Sequence, residues 1–169
     1  MYRTKNCGEL NISNVGEEVT LAGHIQKIRN FGSMVFIDLR DQYGITQVVL
    51  REELADKLIP ESSIQVIGEV VERTNKNYNL KTGDIEVTVN KLNILGKCKV
   101  NLPFEINEDY EKNKEDLRLE YRYLDLRNKK IKDNLLHRAE IMRVMREEMN
   151  NLGFVEIQTP IFTNSSPEG

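Results

Sequence analysis

Three side chains on separate stretches have the chemistry to recognise an unpaired nucleotide base. Residues 34–40 alternate, with Val35, Ile37 and Leu39 on one face and Met34, Phe36, Asp38 and Arg40 on the other. That is the period-2 pattern of a half-buried strand, and it points Phe36 outward among polar neighbours. Soluble proteins tolerate one outward aromatic, and they also use such a ring as a stacking platform for a loosened base. If residues 45–50 form an antiparallel neighbour about the turn at Asp41-Gln42-Tyr43-Gly44, Gln47 can lie near Phe36 on the open face, and Glu86 has outward parity on a later strand. A ring with an amide and a carboxylate beside it can read the Watson–Crick edge of an unstacked base, the usual target in single-stranded RNA. Arg29 and Arg73 would add phosphate or base contacts at the rim.

Residues for a self-contained reaction centre do not assemble in the sequence. It has no glycine-rich phosphate loop, GxSxG elbow, HExxH pair or Cys/His pair at ligand spacing. Its carboxylates are scattered rather than paired for acid–base work. Cys7 and Cys98 lie far apart and the only imidazoles are His24 and His137, so no metal site is expected and both thiols read as free in a reducing cytosol. By its residues alone, this chain binds.

Elements must hold the ring, amide and acid in place. Residues 19–29 read as a long first strand whose apolar parity changes between Leu21/Ile25 and Ile28, which predicts a bend or bulge between Gly23 and Lys27. Strands follow at 34–40 and 45–50, then a short helix at 52–58 closed by Pro60, then strands at 63–73 and 85–89. Five strands with a helix between the third and fourth is the order of the OB-fold, a small Greek-key barrel, although SH3-like barrels also give five strands. The loop at 74–83 holds two lysines and no acid, a locally basic rim or an ordinary solvated loop.

Beyond Leu102 the composition shifts to an acidic stretch, 105–116, that reads as a hinge. Residues 117–127, LRLEYRYLDLR, could touch phosphates or pack between domains. Residues 131–152 form the strongest helical pattern, with Leu135, Met142 and Met149 seven apart and Gly153 at the C′ position. The uncovered apolar stripe predicts self-association. Residues 154–160 read as a strand ending at Pro160. The expected organisation is a barrel at 1–102, a hinge at 103–130 and the start of a second domain at 131–169. The tail Ser165-Ser166-Pro167-Glu168-Gly169 has no capping element, as in the amino-terminal part of something larger.

At 169 residues, 39% hydrophobic and 30% charged, the composition is that of a soluble globular protein. A net charge of -3 argues against indiscriminate coating of nucleic acid. No apolar run approaches the ~20 residues that span a bilayer, so a cytoplasmic chain with no membrane partner is expected.

Together Cys7-Gly8-Glu9-Leu10, Phe36-Ile37-Asp38-Leu39-Arg40-Asp41, Gly44-Ile45-Thr46-Gln47-Val48-Val49, Thr82-Gly83-Asp84-Ile85-Glu86-Val87 and Tyr121-Arg122-Tyr123-Leu124-Asp125-Leu126-Arg127 resemble the amino-terminal region of bacterial-type aspartyl-tRNA synthetases, class II enzymes of the aspartyl, lysyl and asparaginyl subgroup. The resemblance implies an anticodon-binding OB-fold barrel. Phe36, Gln47 and Glu86 match positions that meet anticodon bases, with Arg29, Arg73 and Asn77 beside them. Residues 153–160 and the helix before them resemble motif 1, a homodimer interface, which adds Phe154 and Pro160 to Leu135, Met142 and Met149. Glu168 corresponds to a contact with the aspartate substrate. The resemblance further implies a full-length enzyme that forms aspartyl-adenylate with ATP and Mg²⁺ and passes aspartate to its tRNA. Motifs 2 and 3 are not in this sequence, so a fragment inactive alone, with no catalytic residue, metal or cofactor of its own, is expected. A lysyl or asparaginyl relative and a non-catalytic single-strand-binding OB-fold protein are the alternatives. His24 stands where the family commonly has tryptophan and reads as a packing substitute.

Overall fold

In the computed structural model, which describes residues 2–56, 58–99, 102–106 and 112–161, the chain divides into two units, Met1–Val100 and Asn101–Gly169. The first contains β1 (Glu18–Phe31), β2 (Met34–Arg40), β3 (Ile45–Arg51), α1 (Glu52–Ala55), β4 (Ser63–Glu72) and β5 (Ile85–Gly96). β1 runs antiparallel to β2 and β4, β3 is antiparallel to β2 and parallel to β5, and β5 is antiparallel to β4. The order β1-β2-β3-β5-β4 therefore closes on itself, the five-stranded OB-fold barrel that the strand order implied.

Alternation builds this core. Val35, Ile37 and Leu39 of β2, Val48 and Leu50 of β3, Ile64, Val66 and Val70 of β4, and Ile85 and Val87 of β5 all point inward and are buried. In β1 the register slips between Ile25 and Lys27, leaving Gln26 as the extra residue of a bulge, so Ile25 and Ile28 both reach the core despite opposite parity. α1 is shorter than the expected 52–58 helix, and β5 runs well past Val89 because its far half is laddered to β4 through Ile64↔Ile94 and Gln65↔Asn93. A register slip between Val89 and Lys91 breaks the period-2 alternation there, and Ile94 and Leu95 are exposed, so a hydrophobicity pattern does not carry through the extension.

The segment before β1 is part of the core. Cys7 and Leu10 are buried in it; the Cys7 N–H donates to Asp41 Oδ2 at 2.9 Å, and Thr46 Oγ1 donates to the Cys7 carbonyl. Asp41 Oδ1 also accepts from the N–H groups of Tyr43 (2.7 Å) and Gly44 (3.0 Å), fixing the β2–β3 turn. Gly8 lies so close to that turn that a Cβ there would sit 2.2 Å from the Tyr43 carbonyl oxygen.

The second unit holds α2 (Glu115–Glu120), α3 (Arg122–Asp125) and α4 (Lys129–Asn151). Arg118 donates to the buried Asp125 carboxylate at 3.0 Å and Arg122 donates to it as well, so these two arginines face an acid of their own segment. α4 opens on an Asn128 cap that accepts from Lys130 N–H and Ile131 N–H. It ends in a Schellman motif, with Gly153 at φ 88°, its N–H on Asn150 O (2.9 Å) and Phe154 N–H on Met149 O (3.0 Å). Residues 154–160 pair with no strand among the described residues, so the expected strand is an unladdered extended segment here. A strand is defined by its neighbour, and alternation alone does not supply one. No helix among the described residues is long and apolar enough to cross a membrane.

Candidate nucleic-acid interface

The barrel's register sets the outer wall. Arg29 of β1 stands opposite Phe36 of β2, which stands opposite Val49 of β3; Asp38 stands opposite Gln47. Because Val48 pairs with Val87, Gln47 and Glu86 are neighbours across the β3–β5 seam. Phe36 and Gln47 are thus diagonal neighbours, as the hairpin reading required.

Hydrogen bonds join these residues in a row. Asp38 accepts from Arg29 through both oxygens, Nη1 to Oδ2 at 2.8 Å and Nη2 to Oδ1 at 2.6 Å. Arg29 Nη2 also donates to Gln47 Oε1 at 3.1 Å, and Gln47 Nε2 donates to Glu86 Oε2 at 2.6 Å. Arg73 Nε lies 4.0 Å from the same Glu86 oxygen. The amide orientation follows from chemistry, because a flip would set NH₂ against a guanidinium and a carbonyl against a carboxylate. Gln47 was expected on an open face; it has the expected parity but is only 5% exposed, covered within this row.

Phe36 is half-buried rather than an isolated exposed ring. Phe31, 66% exposed at the end of β1, meets it edge-to-face at 5.5 Å and 89°. The two rings and the amide share one wall.

Of the two lysines in the loop after β4, Lys76 is matched by acids and Lys81 is exposed. Lys76 Nζ is 3.0 Å from Glu72 and 3.6 Å from Asp84, acids just outside the acid-free stretch, and the Glu72 hydrogen bond holds the ammonium pKa above its ordinary value. Arg29 and Arg73 are likewise matched by Asp38 and Glu86. Lys27, in register with Asp38, and Arg51, at the end of β3, add exposed positive charge on the same outer parity.

Arg29, Phe36, Gln47, Arg73 and Glu86 come together. Asn77 does not join their hydrogen bonds: its Oδ1 accepts from Asn79 N–H at 3.1 Å and its own N–H donates to Gly83 O at 3.0 Å, so it braces the loop. Asp38 was missed, having read only as a polar alternate. Its role was implicit in the hairpin, since closing β1 on β2 brings it beside Arg29. Among the described residues no group of three or more His, Cys, Asp or Glu side chains could hold a metal ion. On the second unit Leu135, Met142 and Met149 are 41–47% exposed, and Phe154 and Pro160 are exposed as well. Glu168 lies outside the described residues.

Residues 19–95 match the family model described as an OB-fold nucleic acid binding domain, and residues 114–169 match that of class II tRNA synthetases (D, K and N). The aspartate–tRNA ligase of Mesoplasma florum is 48% identical over 172 residues, covering 100% of this chain and 30% of the relative. The aspartate–tRNA(Asp/Asn) ligase of Chlamydia abortus is 48% identical over 177 residues, covering 99% and 30%. Along its whole length the chain is thus similar to aspartate–tRNA ligases. It spans about 30% of the length of the curated relatives it matches. Among solved structures of the wider class, asparaginyl-tRNA synthetase from Pyrococcus horikoshii complexed with asparaginyl-adenylate matches with TM-score 0.80 and 28% identity over 95% of this chain and 37% of that one. Aspartyl-tRNA synthetase from Entamoeba histolytica matches in fold with TM-score 0.84 and 22% identity, over 97% of this chain and 41% of that one. The synthetase match outside the barrel favours the synthetase reading over that of a non-catalytic OB-fold module.

Proposed function

We propose that this barrel reads the anticodon of an aspartate tRNA, as part of a ligase that joins aspartate to that tRNA. The carrying observation is the Gln47 amide fixed between Arg29 and Glu86, diagonal to the Phe36 ring. In this reading a base unstacked from the anticodon lies against Phe36 and presents its edge to Gln47, with Arg73 and the Asn77 loop at the border. The carboxylates beside Arg29 and Arg73, Asp38 and Glu86, support base reading by this row over phosphate binding by those two arginines. The whole enzyme would use ATP and Mg²⁺ to form the adenylate in the cytoplasm, with Glu168 toward aspartate. Nothing among the described residues gathers to hold the metal. The exposed α4 stripe would meet a second copy, giving a homodimer.

The test is a titration of the chain with a hairpin RNA whose loop carries the aspartate anticodon, and with hairpins changed one base at a time. The native chain is expected to prefer the aspartate loop, and Gln47→Ala to lower that preference by about tenfold or more, one well-made pair of polar contacts to a base. Equal binding of all hairpins by the native chain refutes the proposal. A hairpin with the asparagine anticodon in the same series reports whether that tRNA is read as well.

A further inference from the structure

An arginine on the outer wall of a barrel, beside an exposed ring, would ordinarily grip any RNA through its phosphates, because a guanidinium matches phosphate geometry with two parallel hydrogen bonds. Arg29 is not in that state. Asp38 engages both of its terminal nitrogens, at 2.6 and 2.8 Å, and the pair is shielded, with side chains 31% and 17% exposed. The remaining contact of Arg29 goes to the Gln47 oxygen at 3.1 Å, and Gln47 passes the constraint on to Glu86 at 2.6 Å. One carboxylate therefore stands at the head of the row that orients the amide.

We infer that Asp38 is a specificity-determining residue of this wall. Its two-point hold cancels the Arg29 charge and keeps the guanidinium aimed at Gln47, so that the amide selects a base while the cation stays off the phosphate backbone. The inference rests on the base-reading function proposed above and goes beyond it, because Asp38 itself touches no base. It is a positioning residue whose removal should make the protein a less selective but more salt-sensitive RNA binder. A merely structural residue would lower affinity for all RNAs together, without altering the dependence on salt.

The experiment uses the full 169-residue chain and the hairpin RNAs named above, titrated across a series of KCl concentrations. Asp38→Asn keeps the shape and one acceptor oxygen but loses the charge. Its preference for the aspartate hairpin over the base-changed ones is expected to fall about tenfold, the scale of a lost hydrogen bond to a charged group. The plot of log affinity against log salt is expected to steepen by about 0.7, the value of one freed phosphate contact on a single strand. Arg29→Gln added to Asp38→Asn should return the slope to that of the native chain without restoring the preference, since the freed cation is its source. Asp38→Glu, which keeps the charge on a longer arm, should hold the native slope and still lose preference. Melting curves by circular dichroism accompany each variant. If Asp38→Asn leaves slope and preference unchanged while Phe36→Ala weakens binding, this inference falls and the base-reading function stands. An equal loss for every hairpin at every salt, with a lowered melting point, also overturns it. If Phe36→Ala and Gln47→Ala both bind as the native chain does, the base-reading function falls and takes this inference with it.

Discussion

Replacing Phe36 by alanine tests the wall at its centre, and its effects on folding and binding can be separated. For folding, the ring is half-buried, makes an edge-to-face pair with Phe31 at 5.5 Å, and stands across from Val49, which is only 4% exposed although it points outward. Losing the aromatic pair costs about 0.5–1.5 kcal/mol, and losing part of a large side chain's burial adds a similar amount, so about 1–3 kcal/mol of stability should go. For binding, a base stacked on an aromatic ring is worth about 1–3 kcal/mol, which weakens the complex by about 5- to 150-fold. Urea unfolding reads the first quantity, and fluorescence anisotropy with the aspartate hairpin, at a temperature where both proteins are fully folded, reads the second. Phe31→Ala is the control, because it removes the pair while leaving the Phe36 ring in place. If Phe36→Ala loses stability but binds the hairpin as tightly as the native chain, the ring is a packing residue and the stacking argument is wrong.

Gly8→Ala should destabilise the barrel by about 1–3 kcal/mol in urea unfolding, since its Cβ would meet backbone rather than a movable side chain; an unchanged midpoint refutes the close approach. Burial pushes the Cys7 thiol well above the usual range, with the Asp41 carboxylate adding to the shift, so a thiol reagent should modify half-buried Cys98 quickly and Cys7 only on unfolding. The folded chain keeps a Cys7 proton that the unfolded chain releases above about pH 8.5, so this thiol's contribution to stability is present below that pH and declines above it; Cys7→Ser should flatten the decline. Met142→Glu should shift sedimentation toward monomer and leave the melting point unchanged at dilutions where the native chain is also monomeric, because Met142 is 41% exposed, and a native chain that sediments as a monomer at all concentrations counts against the α4 dimer.

Patterns that depend on one segment were legible in the sequence. Alternation located β2 and the inner faces of β4 and β5, a parity change located the β1 bulge, and Gly153 marked the end of α4. Pairings between segments were not. No single-segment pattern showed that Asp38 would hold Arg29, which needs the β1–β2 hairpin closed, or that Glu72 and Asp84, flanking a loop without acids, would pair with Lys76. Gln47 was placed on the correct wall but read as open, because parity reports direction while burial depends on what the neighbours cover. The strand expected at 154–160 had the right alternation and no partner among the described residues.

The parallel seam between β3 and β5 is fastened by two registered residue pairs, Val48↔Val87 and Val49↔Thr88, whereas the antiparallel ladders run much longer. Gln47 and Glu86, one position before the first of those pairs on each strand, act as an external clasp across it. Under the base reading proposed above, a nucleotide that took the Gln47 amide away from Glu86 would pull on the narrowest join in the ring. Recognition would then weaken a fastening of the very wall on which the ligand rests.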